Sequence, residues 1–197
     1  MKLILTLGIC LLACPAWAHP HEWVDWGVGL VVEAGSPRTV TGAWLELTWD
    51  EWFSALVLDD YPAVAHGPLS AADLKGLETD FGLSSPDRAV SLTVTSGGKA
   101  VPFRITAGQP RYDGKKITLI YFLALTLPVS TPSDLRVELY DPTYYADMGI
   151  RSQSGGYFAG VKDPAQAPGS VSFARDQAHP YYGGSVVPEV VVFALKP

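Results

Sequence analysis

The stretch EWVDWGVGLVV, residues 22–32, decides the fold class because apolar side chains recur in it at every second position. These alternating apolar residues are Val24, Trp26, Val28, Leu30 and Val32. A period of two places them on one buried face of a β-strand. The Gly-Ser-Pro sequence at 35–37 predicts a turn, and residues 39–49 predict the antiparallel return strand. The fold therefore starts with a β-hairpin.

The rest of the chain continues this β-rich pattern with two helical interruptions. Asp50 predicts the start of one short helix, and the capping box of Ser70 and Asp73 predicts the start of another. Further strands are predicted at 89–95, 101–107, 115–127, 134–140 and 185–195, and an irregular segment at about 141–184. We therefore expect residues 19–197 to form a mainly β fold, a single-domain antiparallel β-sandwich with two short helical insertions.

The composition agrees with one globular domain and argues against a nucleic-acid partner. The chain has 197 residues, of which 48% are hydrophobic and 17% charged, so it can bury a core. Twenty acidic residues outnumber 14 basic ones, which gives a net charge of −6. A polyanion such as nucleic acid is poorly matched to this charge.

The first 18 residues have the three parts of a secretory signal peptide. Lys2 precedes an apolar run at 3–13, which is shorter than the roughly 20 residues that a helix needs to span a bilayer. Residues 16–18, Ala-Trp-Ala, then supply the small-x-small pattern of a cleavage site. Cleavage there predicts a periplasmic protein that starts at His19, lacks cysteine and does not insert in the membrane. A lipoprotein anchored at Cys14 is the alternative.

A histidine at the processed amino terminus is the strongest chemical signal in the sequence. The α-amine and the imidazole of His19 can chelate one metal ion, and both titrate near neutral pH. His21 offers a second imidazole on the same side of an extended segment. Pro20 has no N–H, which excludes the amino-terminal copper motif that needs a deprotonated amide at residue two. Nitrogen-rich sites suit copper, zinc, nickel or cobalt, and the sequence leaves the metal open.

Three further residues are candidates for completing this metal site. Asp25 shares the predicted face of His21, where it would ligate the metal or orient an imidazole. His66 and His179 lie in predicted loops, from which either would supply another nitrogen. The competing interpretation is that both are exposed loop histidines without a ligand.

The sequence YDPTYY at 140–145 predicts a turn directly after a strand. Its residues Tyr140, Tyr144 and Tyr145 combine apolar rings with hydroxyl groups that form hydrogen bonds. They are interpreted either as a structural corner that closes the sandwich, or as residues that bind a partner or line the metal site.

Catalytic motifs are absent from the sequence, and we do not expect an enzyme. There is no G-x-S-x-G motif, no phosphate-binding glycine loop, and no cysteine nucleophile after cleavage. Two alternatives to metal handling stay open. One is a copper-dependent monooxygenase-like enzyme, which an amino-terminal histidine on a β-sandwich would suit. The other is a metal-free periplasmic module that binds a partner protein.

Four motifs resemble a bacterial family of unknown function: AHPHEWVD at 18–25, TWDEWFSAL at 48–56, LSAADL at 69–74 and YDPTYY at 140–145. Members of that family are labelled as the periplasmic component of an uncharacterised ABC-type transport system, and they often neighbour nickel/cobalt-type permeases. The resemblance implies a membrane metal permease or ABC-type transporter as the partner, and it implies no catalytic residues. The expected function is thus a periplasmic transition-metal-binding protein associated with a metal transporter.

Overall fold

The predicted hairpin forms the middle of the larger of two β-sheets. The structure, a computed structural model, describes residues 20–35, 38–59, 70–83, 85, 89–106, 108–129, 133–151 and 154–196. Strand β1 spans Glu22–Glu33 and β2 spans Arg38–Trp49, and they pair antiparallel with Trp26 opposite Leu47. Both of these side chains are buried in the core. The period-two alternation therefore predicted this hairpin correctly.

Seven strands form the larger sheet. Besides β1 and β2 they are β5 (Arg104–Ile105), β6 (Gln109–Tyr112), β7 (Ile117–Val129), β9 (Ala146–Ile150) and β10 (Gly156–Phe158). The order across the sheet is β10-β1-β2-β7-β5, with β6 also paired to β7 and β9 also paired to β1. Because β9 and β10 run parallel to β1, this sheet is mixed.

Five strands form the smaller, antiparallel sheet in the order β11-β12-β8-β3-β4. They are β3 (Ser91–Ser96), β4 (Lys99–Ala100), β8 (Ser133–Tyr140), β11 (Gly169–Arg175) and β12 (Glu189–Leu195). The inner faces of the two sheets share one hydrophobic core. Within it, Phe158 of β10 meets Phe193 of β12 at a ring distance of 5.4 Å. The prediction of a mainly β sandwich is confirmed.

Two helices are inserted between β2 and β3, also as predicted: α1 (Glu51–Asp59) and α2 (Ala71–Phe81). The Asp50 side chain accepts a hydrogen bond from the backbone N–H of Phe53 at 2.8 Å, which caps α1. Ser70 and Asp73 cap α2 reciprocally. Phe53 and Phe81 meet edge to face at 5.9 Å, which packs the helices together. Neither helix has the length and apolar character needed to cross a membrane, nor does any other helix in the described ranges.

Two predictions about the chain path are wrong. The segment at about 141–184 is not irregular throughout, because it contains β9, β10, β11 and a 3-10 turn at Pro164–Gln166. These strands have three to seven residues, too few for a clear period, and two of them pair in parallel with a distant strand. The strand predicted at 101–107 is wrong in extent and in pairing, because only Arg104–Ile105 is a strand among its described residues. Instead, the chain leaves the smaller sheet after β4, and β5 pairs with β7 of the larger sheet.

Candidate functional site

His21 lies at the amino-terminal end of the larger sheet, one residue before β1. Its side chain is exposed, and its ring stacks on Tyr145 with the ring centroids 4.8 Å apart. The backbone N–H of His21 donates to the carbonyl of Tyr145 at 2.8 Å. This contact follows from the parallel pairing of β1 with β9, which sets Glu22 beside Ala146. The start of β1 is thus attached to the tyrosine-containing turn at 140–145.

The exposed face of β1 runs from His21 through Trp23 to Asp25. Trp23 is 48% exposed, although it is a large aromatic side chain. On the opposite face Glu22 is buried, and it accepts a hydrogen bond from Nε1 of Trp49 at 3.0 Å. His21 and Asp25 therefore point to the same side of the strand, as the alternation predicts, and both are reached by solvent.

Asp141 organises the turn that joins β8 of the smaller sheet to β9 of the larger one. Its side chain is buried. One carboxylate oxygen accepts from the backbone N–H and the hydroxyl of Thr143, at 2.8 and 2.6 Å. The other accepts from the N–H of Ala146 at 3.0 Å. These bonds support a turn in which Tyr144 has a positive φ of 58°, a conformation that is uncommon outside glycine.

Four tyrosines from two segments pack beside this turn, and we call them the tyrosine cluster: Tyr140, Tyr144, Tyr181 and Tyr182. The ring of Tyr181 lies 4.8 Å from that of Tyr140 and 6.2 Å from that of Tyr144. Tyr182 lies 5.1 Å from Tyr144. Burial raises the pKa of Tyr181, so its hydroxyl stays protonated at neutral pH. Two of the predicted partner-binding tyrosines therefore pack within the protein, whereas Tyr145 is 47% exposed.

His179 lines a pocket on the outer face of the smaller sheet. The pocket has a volume of about 530 Å³, a size typical of small-molecule sites. Outward-facing side chains of β8, Arg136, Glu138 and Tyr140, form part of its lining. Apolar side chains of the segment after β4, including Phe103, form another part. The arrangement is that of a binding pocket with charged and apolar sides.

The carboxyl groups in this pocket are coupled to His179. Its Nδ1 atom lies 2.7 Å from Oδ2 of Asp176, a contact that raises the pKa of His179 and lowers that of Asp176. Glu138 is half-buried, and its carboxyl group interacts with that of Asp176. Burial, followed by the charge of Asp176, raises the pKa of Glu138. The opposite shifts mean that Glu138 takes up a proton before Asp176 as the pH falls.

The outer face of the larger sheet carries a closed polar network. Arg151 donates to Glu46 at 2.9 Å and to the hydroxyl of Thr48. The Tyr157 hydroxyl donates to the other carboxylate oxygen of Glu46 at 3.1 Å. Burial and the Glu46 charge raise the pKa of Tyr157 to about 12. The Tyr157 ring lies across Gly29, where a Cβ atom would stand 2.3 Å from it.

The same face carries a row of aromatic side chains. Tyr157, Gly29, Trp44 and Phe122 are successive partners across β10, β1, β2 and β7. Trp44 and Tyr157 are each 37% exposed, and the Trp44 ring lies 4.9 Å from that of Phe122. Because Gly29 and His21 are separated by an even number of strand positions, the row and His21 share one side of β1.

The structure describes three of the five predicted metal-site residues. His19 and His66 lie outside the described residues. His21 and Asp25 share an exposed face, whereas His179 pairs with Asp176 at the pocket. Within the described ranges, no group of three His, Cys, Asp or Glu side chains is arranged to hold a metal ion. Binding through His19 therefore stays a prediction.

Sequence analysis missed Arg136, Glu138 and Asp176 as site residues. The alternation in β8 was an available signal, because Arg136, Glu138 and Tyr140 occupy every second position and so share one face. Nothing local indicated the interaction between Glu138 and Asp176, since Glu138 lies on β8, Asp176 follows β11, and β12 lies between these two strands in the sheet.

One protein family matches most of the chain. The family described as "Protein of unknown function (DUF1007)" matches residues 4–167. The match includes β1, both helices and the turn at 140–145, and it ends before Asp176 and His179. No curated protein matches the sequence.

Proposed function

The chain belongs to the DUF1007 family of proteins of unknown function, and we propose that its mature form is a periplasmic protein that binds a transition metal through its amino terminus. His19 supplies the α-amine and one imidazole, and His21 supplies a second imidazole. Asp25 is a further ligand or orients a histidine ring. Copper, zinc, nickel and cobalt all suit this donor set.

The observation that carries the proposal is the placement of His21. Its side chain is exposed, its ring stacks on that of Tyr145, and its backbone N–H donates a hydrogen bond to the carbonyl of the same residue. The chain is therefore held at this point, which lowers the entropy that metal binding must otherwise overcome. A mature terminus two residues earlier would lie within reach of the His21 imidazole.

We further propose that a membrane metal permease or ABC-type transporter is the partner. Trp23 and Tyr145 flank His21 and are 48% and 47% exposed. Exposed aromatic side chains of this kind are enriched at protein interfaces. A partner that covers them would contact the metal-carrying terminus directly.

The test is a calorimetric titration of the metal-free protein, isolated from the periplasm, at about pH 7.5. Cu(II), Zn(II), Ni(II) and Co(II) are titrated separately, and the intact mass establishes the first residue. We expect a chain that begins at His19 and binds one of these metals. Affinity falls below about pH 6, as the imidazoles protonate.

Two variants and one control sharpen this test. One extra residue before His19 removes the α-amine chelate while keeping every side chain, and His21→Gln removes the second imidazole. Each should lower the affinity at least about tenfold. His179→Gln is the matched control, because His179 is already paired with Asp176 at the pocket. Equal binding by the extended chain and the unaltered protein contradicts the proposal.

The aromatic row favours a second candidate function, a copper-dependent monooxygenase-like enzyme that acts on a polysaccharide. Trp44 and Tyr157 are exposed on the side of β1 that carries His21, and sugar rings stack on such aromatic surfaces. Copper-loaded protein would be incubated with chitin or cellulose, oxygen and a reductant. Oxidised oligosaccharides that Trp44→Ala abolishes support this function. Their absence, with metal binding intact, favours the transport-linked one, and absence of metal binding leaves a metal-free partner-binding module.

A further inference from the structure

Arg136 brings a positive charge into the pocket on the outer face of the smaller sheet. It lines the pocket from the middle of β8. Among the residues that the structure describes, no carboxylate forms an ion pair with it within 4.0 Å. Its neighbours across the sheet are Thr95 of β3 and Val192 of β12, neither of which carries a charge.

The two nearest carboxyl groups along β8 have other partners. Asp134 accepts a hydrogen bond from the backbone N–H of Gly97 at 3.1 Å, in the turn between β3 and β4. Glu138 interacts with Asp176, which also binds His179. Glu138 shares the face of Arg136, and the two charges interact without an ion pair within 4.0 Å. Among the described residues the Arg136 guanidinium forms no hydrogen bond, so its donors can bind a ligand.

We infer that this pocket binds a small organic acid, whose anionic head group is held by Arg136 and whose apolar body lies against the wall formed by Val101 and Phe103. A guanidinium binds a carboxylate or sulfonate through two parallel hydrogen bonds. The hydroxyl groups of Thr93, Thr95 and Tyr140 also line the pocket and can donate to the same head group.

The other charged groups of the pocket are compatible with an anion. Asp176 is paired with His179, so the two side chains together carry little net charge when the imidazole is protonated. Burial and the charge of Asp176 raise the pKa of Glu138, which weakens the tendency of this carboxyl group to carry the negative charge that would repel an anion. The volume of about 530 Å³ accommodates an acid of medium chain length.

This inference is independent of the proposed metal site, because it uses no residue of the amino terminus. The experiment measures the fluorescence of 1-anilinonaphthalene-8-sulfonate, an apolar anion, in the presence of the full-length mature protein. Three competitors are then compared. Octanoate has both an apolar tail and a negative charge, octylamine has only the tail, and sulfate has only the charge. Octanoate should displace the probe, whereas octylamine and sulfate should not. Equal displacement by octylamine overturns the inference, whether or not any variant folds.

Two variants locate the binding site. Arg136→Gln should weaken octanoate binding at least about tenfold, because a charge-assisted pair is lost. Ala100→Trp places a large ring in the pocket and should abolish binding. Arg111→Gln is the matched control, since Arg111 is exposed on β6 of the other sheet. If Arg136→Gln and Ala100→Trp bind octanoate as well as the control does, the inference is overturned. It is also overturned if the unaltered protein binds neither the probe nor octanoate.

Discussion

The outer faces of the two sheets each place an arginine near a glutamate, but the two pairs behave differently. On the larger sheet, Arg151 and Glu46 are 2.9 Å apart, and Tyr157 holds the second oxygen of Glu46. On the smaller sheet, Arg136 and Glu138 form no ion pair within 4.0 Å, and the charge of Arg136 only partly offsets the burial and the Asp176 charge that raise the pKa of Glu138. On the larger sheet the polar side chains are thus bonded to one another, whereas on the smaller sheet they line a pocket.

The difference has a geometric cause. Glu46 lies on β2 and Arg151 follows β9, on either side of β1, so their side chains reach toward each other across the sheet. Arg136 and Glu138 share one face of the same strand, and Asp176 acts on Glu138 from the segment that follows β11. An arginine whose charge is paired within the protein contributes to stability. An arginine that forms no ion pair can instead bind a ligand. Substitutions on the two faces separate these two roles.

The largest effect is expected for Arg151→Met, which removes the guanidinium and keeps most of the apolar stem. Glu46 then loses its ion pair while three-quarters of its side chain stays buried. The free energy of unfolding should fall by about 2 kcal/mol in urea titrations. Octanoate binding should not change. A loss below about 0.5 kcal/mol would mean that the closed network contributes no more than an ordinary surface pair.

A smaller effect is expected for Gly29→Ala, which displaces the Tyr157 ring without removing any polar group. The new Cβ atom would lie 2.3 Å from that ring. Tyr157 must move away from Glu46, which should cost about 1 kcal/mol. The pKa of Tyr157 should also fall from about 12 toward its usual value in an ultraviolet titration. Gly149→Ala is the control, because a Cβ at Gly149 meets nothing within 4 Å.

A pH-dependent change is expected for Glu138→Gln on the open face. The pKa of Glu138 is raised above 4.5 in the folded protein, so the folded state holds this proton more tightly than the unfolded chain does. The contribution of Glu138 is therefore present below pH 4.5 and is lost as the pH rises through the folded value. Urea titrations from about pH 4 to 8 should show a shallower decline for the variant. Glu33→Gln, at an exposed position, is the control. Parallel curves for the Glu138 variant and the unaltered protein would contradict the assignment.

The smallest effect on stability is expected for Arg136→Gln. Since Arg136 has no ion pair among the described residues, its loss should change the free energy of unfolding by less than about 0.5 kcal/mol. The same variant is expected to lose octanoate binding. A stability loss as large as that of Arg151→Met would show that the two arginines have the same structural role.

Features with a local cause were predictable from the sequence. The β1–β2 hairpin follows from alternation within each strand, and both helix starts follow from caps at Asp50 and Ser70. The shared exposed face of His21 and Asp25 follows from the same alternation. In each case the decisive contacts join residues that are close in the sequence.

Features that depend on distant partners were not predictable. β9 and β10 are short, and they are strands because β1 offers them hydrogen-bonding groups from the other end of the chain. The contact between Glu138 and Asp176 likewise depends on the order of β11, β12 and β8 in the sheet. That Arg136 has no charged partner across the sheet could be inferred only once its neighbours on β3 and β12 were known.

The parallel pairing of β1 with β9 and β10 has a consequence for the folding pathway. Glu22 pairs with Ala146 and Val28 with Gly156, so one edge of β1 has no partner until residues 146–158 have been synthesised. Closing such a long loop is entropically costly, and folds dominated by distant contacts form slowly. We expect the docking of this late segment to be the slow step of folding. Until it occurs, the open edge of the first hairpin is the region most exposed to aggregation.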